Sequence, residues 1–263
     1  MDAPLHVQSW GPAPDGRAVL AVHGVTGHGH RWRSLAVDHL AGLPVLAPDL
    51  RGHGHSPSLP PWSLEQHAAD LLGVLDAHEV ARAVVVGHSF GGAIALRLAA
   101  LAPDRVESLV LLDPAAALLP EWALHAAGDW ERPPRFPDPT AARAERTDAW
   151  ERVAAAEVDA EVAHHLRERA DGTWEWRVCV PAVMAAWSEM ARPLPECSGV
   201  PTEVVVAERM DPEIVAPALS GWPGVRVARW DCGHNVALEL PGRTAALVRE
   251  VWDRGPAQGW TGR

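Results

Sequence analysis

Two residue types are missing altogether. The 263-residue chain has neither lysine nor tyrosine, so all 23 of its basic residues are arginine. Against them stand 34 acidic residues, and the formal charge of −11 argues against nucleic acid or an anionic membrane as a partner. Cysteine is scarce as well. The three present, Cys179, Cys197 and Cys232, are odd in number, widely spaced and in no metal-ligand pattern, so a reduced, cytoplasmic setting is expected. No apolar run approaches membrane-spanning length, and no basic start followed by an apolar stretch marks a signal peptide, so no membrane contact is expected. The lack of lysine and tyrosine beside abundant alanine, proline and tryptophan reads as coding bias and carries no mechanism.

What is present is a full core. Hydrophobic residues make up 48% of the chain, enough for one large α/β domain with an insertion. Short runs of Ala, Val and Leu recur at residues 18–22, 44–48, 83–86, 106–112, 201–207 and 225–230. Such runs suit strands buried on both faces of a parallel sheet. Helical patterns separate them, as at Leu64 to about His78, where Ser63 is placed to cap and Ala68, Leu71, Leu72 and Leu75 fall at helical spacing. A further helix is expected from Trp32 to Leu40. Strand alternating with helix predicts a mostly parallel twisted sheet covered on both faces. From about 115 to 195 the pattern turns to Arg, Glu, Ala and Trp at helical spacing, with no buried-strand run. This segment is expected to be a helical lid inserted into a core formed by 1–114 and 196–263.

The chain is organised around Ala83–Ala93, an apolar strand running into Gly87-His88-Ser89-Phe90-Gly91 and then a helix. So tight a strand-to-helix turn needs residues without a Cβ beside the serine, and it lifts the hydroxyl to the apex at a helix N-terminus. A serine needs a base and an orienting acid. His234, in Cys232-Gly233-His234-Asn235, follows the last strand, and Asp211 follows the strand before it. In a parallel sheet both loops leave at the edge that carries Ser89. Asp113, after the strand at 106–112, is the alternative acid, and Glu208 a weaker one.

Four motifs in this order resemble the α/β-hydrolase family, in its lid-bearing esterase and lipase-like branch, over residues 5–253. They are His23-Gly24 after a strand, Asp49-Leu50-Arg51-Gly52-His53-Gly54-His55-Ser56, the elbow at Ser89, and Gly233-His234. The resemblance implies Ser89 as nucleophile, His234 as base, Asp211 as acid, and the amides of Val25 and Phe90 as the oxyanion hole. It departs at Glu208, where the family usually has glycine three residues before the acid. It implies an acyl-enzyme mechanism on a small-molecule ester, lactones included, with no cofactor, and the aliphatic and tryptophan content of the insertion suggests an apolar acyl or alcohol group. The same triad serves carbon–carbon hydrolysis of a diketone ring-cleavage product, and the fold also serves non-catalytic ligand receptors. These stand as the alternatives.

Among the remaining residues, Trp187 and Met184 in the insertion are candidates for the substrate pocket, and Trp122 reads as lid core. His23 is expected to hydrogen-bond backbone, His88 to shape the elbow, Asp49 and Arg51 to pin their loop, and Cys232 to pack. His28, His30, His53 and His55 have metal-ligand side chains but sit on glycine-rich loops with no completing carboxylate or cysteine, so no metal is expected.

Overall fold

The computed structural model describes residues 4–210, 219 and 221–255. In chain order its strands and helices are β1 (Val7–Trp10), β2 (Arg17–Val22), β3 (Val45–Pro48), α1 (Leu64–Ala77), β4 (Arg82–His88), α2 (Phe90–Leu101) and β5 (Val106–Leu112). There follow α3 (Pro120–Gly128), α4 (Pro139–Ala149), α5 (Ala155–His165), β6 (Leu166–Glu168), β7 (Trp174–Trp176) and α6 (Val180–Met190). The chain then runs through β8 (Thr202–Ala207), β9 (Val225–Trp230), α7 (Val236–Glu239) and α8 (Pro241–Arg254).

Seven of the described strands form one sheet in the order β1-β3-β2-β4-β5-β8-β9. All neighbours are parallel except β1, which pairs antiparallel with β3. The expected parallel sheet is therefore present, with one antiparallel edge. The central strands read as apolar because both faces are covered. Leu20, Val85, Leu109 and Leu111 pack towards α1 and α2, whereas Val19, Val84, Val86 and Val110 pack towards α8. Burying each such side chain stabilises the fold by about 1.5–3 kcal/mol. Ser63 caps α1 as its position predicts, its Oγ accepting from the Gln66 amide at 3.2 Å.

Two expectations on local structure need correction. The helix expected over 32–40 is present, but it is not a regular α-helix. It holds a 3₁₀ turn over Gly29–Trp32 and a wider turn over Leu35–His39, closed by the Leu40 amide donating to the Leu35 carbonyl at 2.8 Å. The extra residue in that turn puts Leu35, Ala36 and Leu40 together in the core. The segment between β5 and β8 is not wholly helical either. Trp174-Glu175-Trp176 pairs with Leu166-Arg167-Glu168 as an antiparallel hairpin, outside the main sheet. Such three-residue strands are too short to leave a period-2 signature.

Candidate active site

The elbow follows β4. Ser89 takes φ 53° and ψ −118°, a conformation that costs an L-residue energy and persists only where neighbours enforce it. They do so by contact. A Cβ on Gly91 would lie 2.3 Å from the Val22 carbonyl oxygen, so only glycine lets α2 start this close to the end of β2. A Cβ on Gly24 would lie 3.0 Å from the Ser89 Cβ, which puts the backbone of the His23–Gly27 loop directly against the serine. The Ser89 carbonyl accepts from Gly92 and Ala115, and its amide donates to the Leu112 carbonyl. Ser89 is 3% exposed.

Two further sequence-marked residues flank the elbow. Phe90 is the first residue of α2 and is fully buried, while Val25 is half-buried against the same apolar cluster. The ring of His23 is committed to backbone, as its place in the loop predicts. Its Nδ1–H donates to the Gly24 carbonyl at 2.8 Å, and its Nε2 accepts from the Leu50 amide at 2.9 Å. Burial, with neighbouring His53 adding to it, holds the pKa of His23 well below its usual value, so the imidazole is neutral.

His234 lies between β9 and α7, in a loop pinned from two sides. The Glu239 carboxylate accepts from the Gly233 amide at 2.9 Å. The Nε2–H of His88 donates to the His234 carbonyl at 2.7 Å, with the two rings 4.6 Å apart. Burial pushes the His88 pKa well down, so this donor is an uncharged ring. His88 thus links the residue before Ser89 to the loop that presents His234. The sequence marked it only as a shaper of the elbow.

Asp211, the expected partner of His234, lies outside the described residues. The Nδ1 of His234 is instead 2.6 Å from Oδ2 of Asp113. Asp113 follows β5, which lies between β4 and β8, so its carboxylate comes up between the elbow and the end of β8. Its own amide donates to the Val205 carbonyl at 2.7 Å, and its Oδ1 accepts from the Ala207 amide at 3.0 Å. It is 1% exposed and sits at φ 44°, a second left-handed residue beside the first. A carboxylate cannot donate, so the proton between them belongs to His234 Nδ1, and Nε2 is the nitrogen left for other chemistry.

The other candidates take various places. Glu208 follows β8 in a turn and is exposed. Cys232 is buried, and burial raises its thiol pKa to about 11, which suits packing and not reactivity. Trp187 and Met184 are half-buried on α6, and Trp187 packs against the cluster that contains Phe90 and borders Val25. Trp122 makes an edge contact with Trp187 at 5.9 Å. Arg51 pairs with Asp70 at 2.7 Å, not with Asp49. The four loop histidines diverge. His28 bonds Glu161, His30 stacks on His164, His53 meets the edge of His23, and His55 approaches Asp49.

Sequence reasoning missed one buried charged cluster altogether. Glu161 on α5 is 2% exposed and accepts from His28 at 2.9 Å and from Arg31 at 2.9 and 2.6 Å. Burial alone would raise its pKa, but Arg31 and His28 outweigh that and hold it well below the usual carboxylate value. Arg31 also donates to the Thr26 carbonyl at 3.0 Å, so the cluster ties the inserted segment to the loop that carries Val25.

The α/β hydrolase fold pattern matches residues 17–176. This chain belongs to the α/β-hydrolase fold family. The hydrolase is 42% identical to a lipase, LipV, of Mycobacterium tuberculosis, across 93% of this chain and 96% of that one. It is 29% identical to a carbendazim-hydrolysing esterase of a Nocardioides strain, across 86% and 96% of the two chains. Among solved structures it overlays on E-2-(acetamidomethylene)succinate hydrolase with a TM-score of 0.80 at 22% identity, covering 95% of each chain. The family and the likeness to the lipase support an ester-acting hydrolase, and the solved structure shows the fold alone. Among the described residues, no helix is long and apolar enough to cross a membrane.

Proposed function

We propose that this hydrolase cleaves esters through a Ser89–His234–Asp113 triad and an acyl-enzyme. The observation that carries the reading is the 2.6 Å contact from His234 Nδ1 to a buried, backbone-held Asp113, beside a serine held at φ 53°. His234 Nε2 takes the Ser89 proton as Oγ attacks the ester carbonyl. The tetrahedral oxyanion is received by the amides of Val25 and Phe90, the latter at the N-terminus of α2. His234 then protonates the departing alkoxide, and the ester bond breaks to leave acyl-Ser89. A water deprotonated by the same nitrogen releases the acid. No cofactor enters these steps.

The segment 115–195 acts as the lid, and Trp187 and Met184 offer the acyl or alcohol group an apolar wall. Apolar esters are therefore the favoured substrates. A panel of p-nitrophenyl esters of rising chain length tests this on the wild type and on Ser89→Ala. Turnover by the wild type and none by the variant is expected. Equal rates in the two proteins would rule the serine out.

A further inference from the structure

A second cluster, separate from the Ser89 centre, lies where β1 meets the loop after β3. Asp49 is buried, with 3% of its side chain exposed, and no arginine bonds its carboxylate among the described residues. Its ion-pair partners among the described residues are two histidines, His6 and His55. The His6 Nδ1 stands 3.1 Å from Asp49 Oδ2, and the His55 Nδ1 stands 3.6 Å from the same oxygen. A buried carboxylate without a permanent cation beside it leaves a charge to be compensated.

We propose that His6, Asp49 and His55 form a binding site for a divalent transition ion of the zinc type. Zinc bonds imidazole nitrogen and carboxylate oxygen at about 2.0–2.2 Å, so tetrahedral donors stand about 3.3 Å apart. The two nitrogen–oxygen separations bracket that value, and all three ligand atoms lie within 4.8 Å of one another. The rings, 5.0 Å apart and tilted by 50°, stand as two imidazoles on one ion would. A hydrogen bond accounts for the approach of His6 but not for that of His55. At 3.6 Å the His55 ring is beyond hydrogen-bond range of Oδ2, which already accepts from the His55 amide at 2.8 Å.

The site is also built in advance. The His6 amide donates to Ser56 Oγ at 2.9 Å, and Ser56 Oγ donates to the Asp49 carbonyl at 2.6 Å. The Asp49 amide donates to the His6 carbonyl at 2.8 Å, and Asp49 Oδ1 accepts from the Gly29 amide at 2.7 Å. The backbone of all three ligands is thus fixed before any ion arrives. The rings are 39% and 52% exposed, which leaves an entry path and a fourth position for water. Two nitrogens and one carboxylate suit Zn²⁺, Ni²⁺ or Cu²⁺ better than the all-oxygen shells of Ca²⁺ or Mg²⁺. The ion takes the Nδ1 lone pair of each ring, and the ring proton resides on Nε2. No redox step is involved.

The experiment is titration calorimetry with zinc chloride on the full chain free of any histidine tag, repeated for His6→Ala, His55→Ala and the control His30→Ala/His164→Ala. One equivalent should bind the wild type and the control, and loss of either His6 or His55 should weaken binding at least about 100-fold. Zinc should raise the Tm of the wild type and not that of His55→Ala. Absence of saturable binding to the wild type, or wild-type binding by His55→Ala, overturns the proposal. So does loss of binding in the control pair. Should His6→Ala fail to fold, the half-exposed His55 decides alone.

Discussion

Two histidine–carboxylate pairs of almost the same composition sit in different surroundings in this protein. His234 meets Asp113 at 2.6 Å and His28 meets Glu161 at 2.9 Å, and both carboxylates are buried. Among the described residues the Asp113 carboxylate is met by one backbone amide, that of Ala207, and one histidine, so its charge is directed at the imidazole, whose other nitrogen has no hydrogen-bond partner among those residues. Glu161 is already matched by the two-pronged Arg31, and its histidine is sealed 5% exposed between the loop and α5. The His28 ring also stacks on His165 at 4.6 Å. Pairing a histidine with a carboxylate does not by itself make a base. The pair becomes one when the carboxylate lacks a competing cation and the far nitrogen faces a reactant.

The sharpest way to break this comparison is to cut one arm of each pair. His234→Ala should lower kcat by a factor on the order of 10⁶, as removal of the base does in triad enzymes, with the Tm little changed. Glu161→Gln should leave kcat near the wild-type value but destabilise the fold by about 3–5 kcal/mol in urea titration, because Arg31 and His28 lose their buried partner. If Glu161→Gln were inactive yet fully stable, the two pairs would have to exchange roles.

The buried histidines outside the two pairs make the stability of the fold depend on pH. Burial holds His23, His88 and His165 well below the usual histidine value of 6.5, and lowers His53 to about 4 and His67 to about 3. Each is depressed in the folded state, so the unfolded chain binds the extra proton. Stability is therefore complete above pH 6.5 and declines as pH falls towards 4, by up to about 2 kcal/mol per histidine at pH 5. Glu161 is also depressed, but its contribution is lost only below its unfolded value of 4.5. Urea midpoints at pH 7, 6 and 5 should fall steadily. A flat profile to pH 5 would mean that these rings take up protons in place.

Much of the site could be read from local sequence, because its signals are local. Ser89 sits between the glycines that its turn requires, and His234 follows a strand at the correct edge. The choice of acid was not local. Asp113 and Asp211 both follow strands that end at that edge, and only the packing of β5 between β4 and β8 brings one carboxylate to Nδ1. The glycine missing at 208 was the one departure from the family pattern beside Asp211, which lies outside the described residues. Glu161 was hidden for a related reason. On an Arg-, Glu- and Ala-rich helix it resembles a solvated charge, and its burial depends on α5 docking against residues 28–31, more than 120 positions away. The β6–β7 hairpin was missed because its strands are shorter than the pattern that would announce them. His6 and Asp49, 43 residues apart, become neighbours only through the antiparallel pairing of β1 with β3.

The account turns on Asp113 as the group that orients His234. Steady-state kcat on a p-nitrophenyl ester, measured for Asp113→Asn and Asp211→Asn in parallel, tests it directly. The account predicts a loss on the order of 10⁴ for Asp113→Asn, whose amide would favour the wrong imidazole tautomer, and a near wild-type rate for Asp211→Asn. A large loss in Asp211→Asn with Asp113→Asn near normal would contradict it.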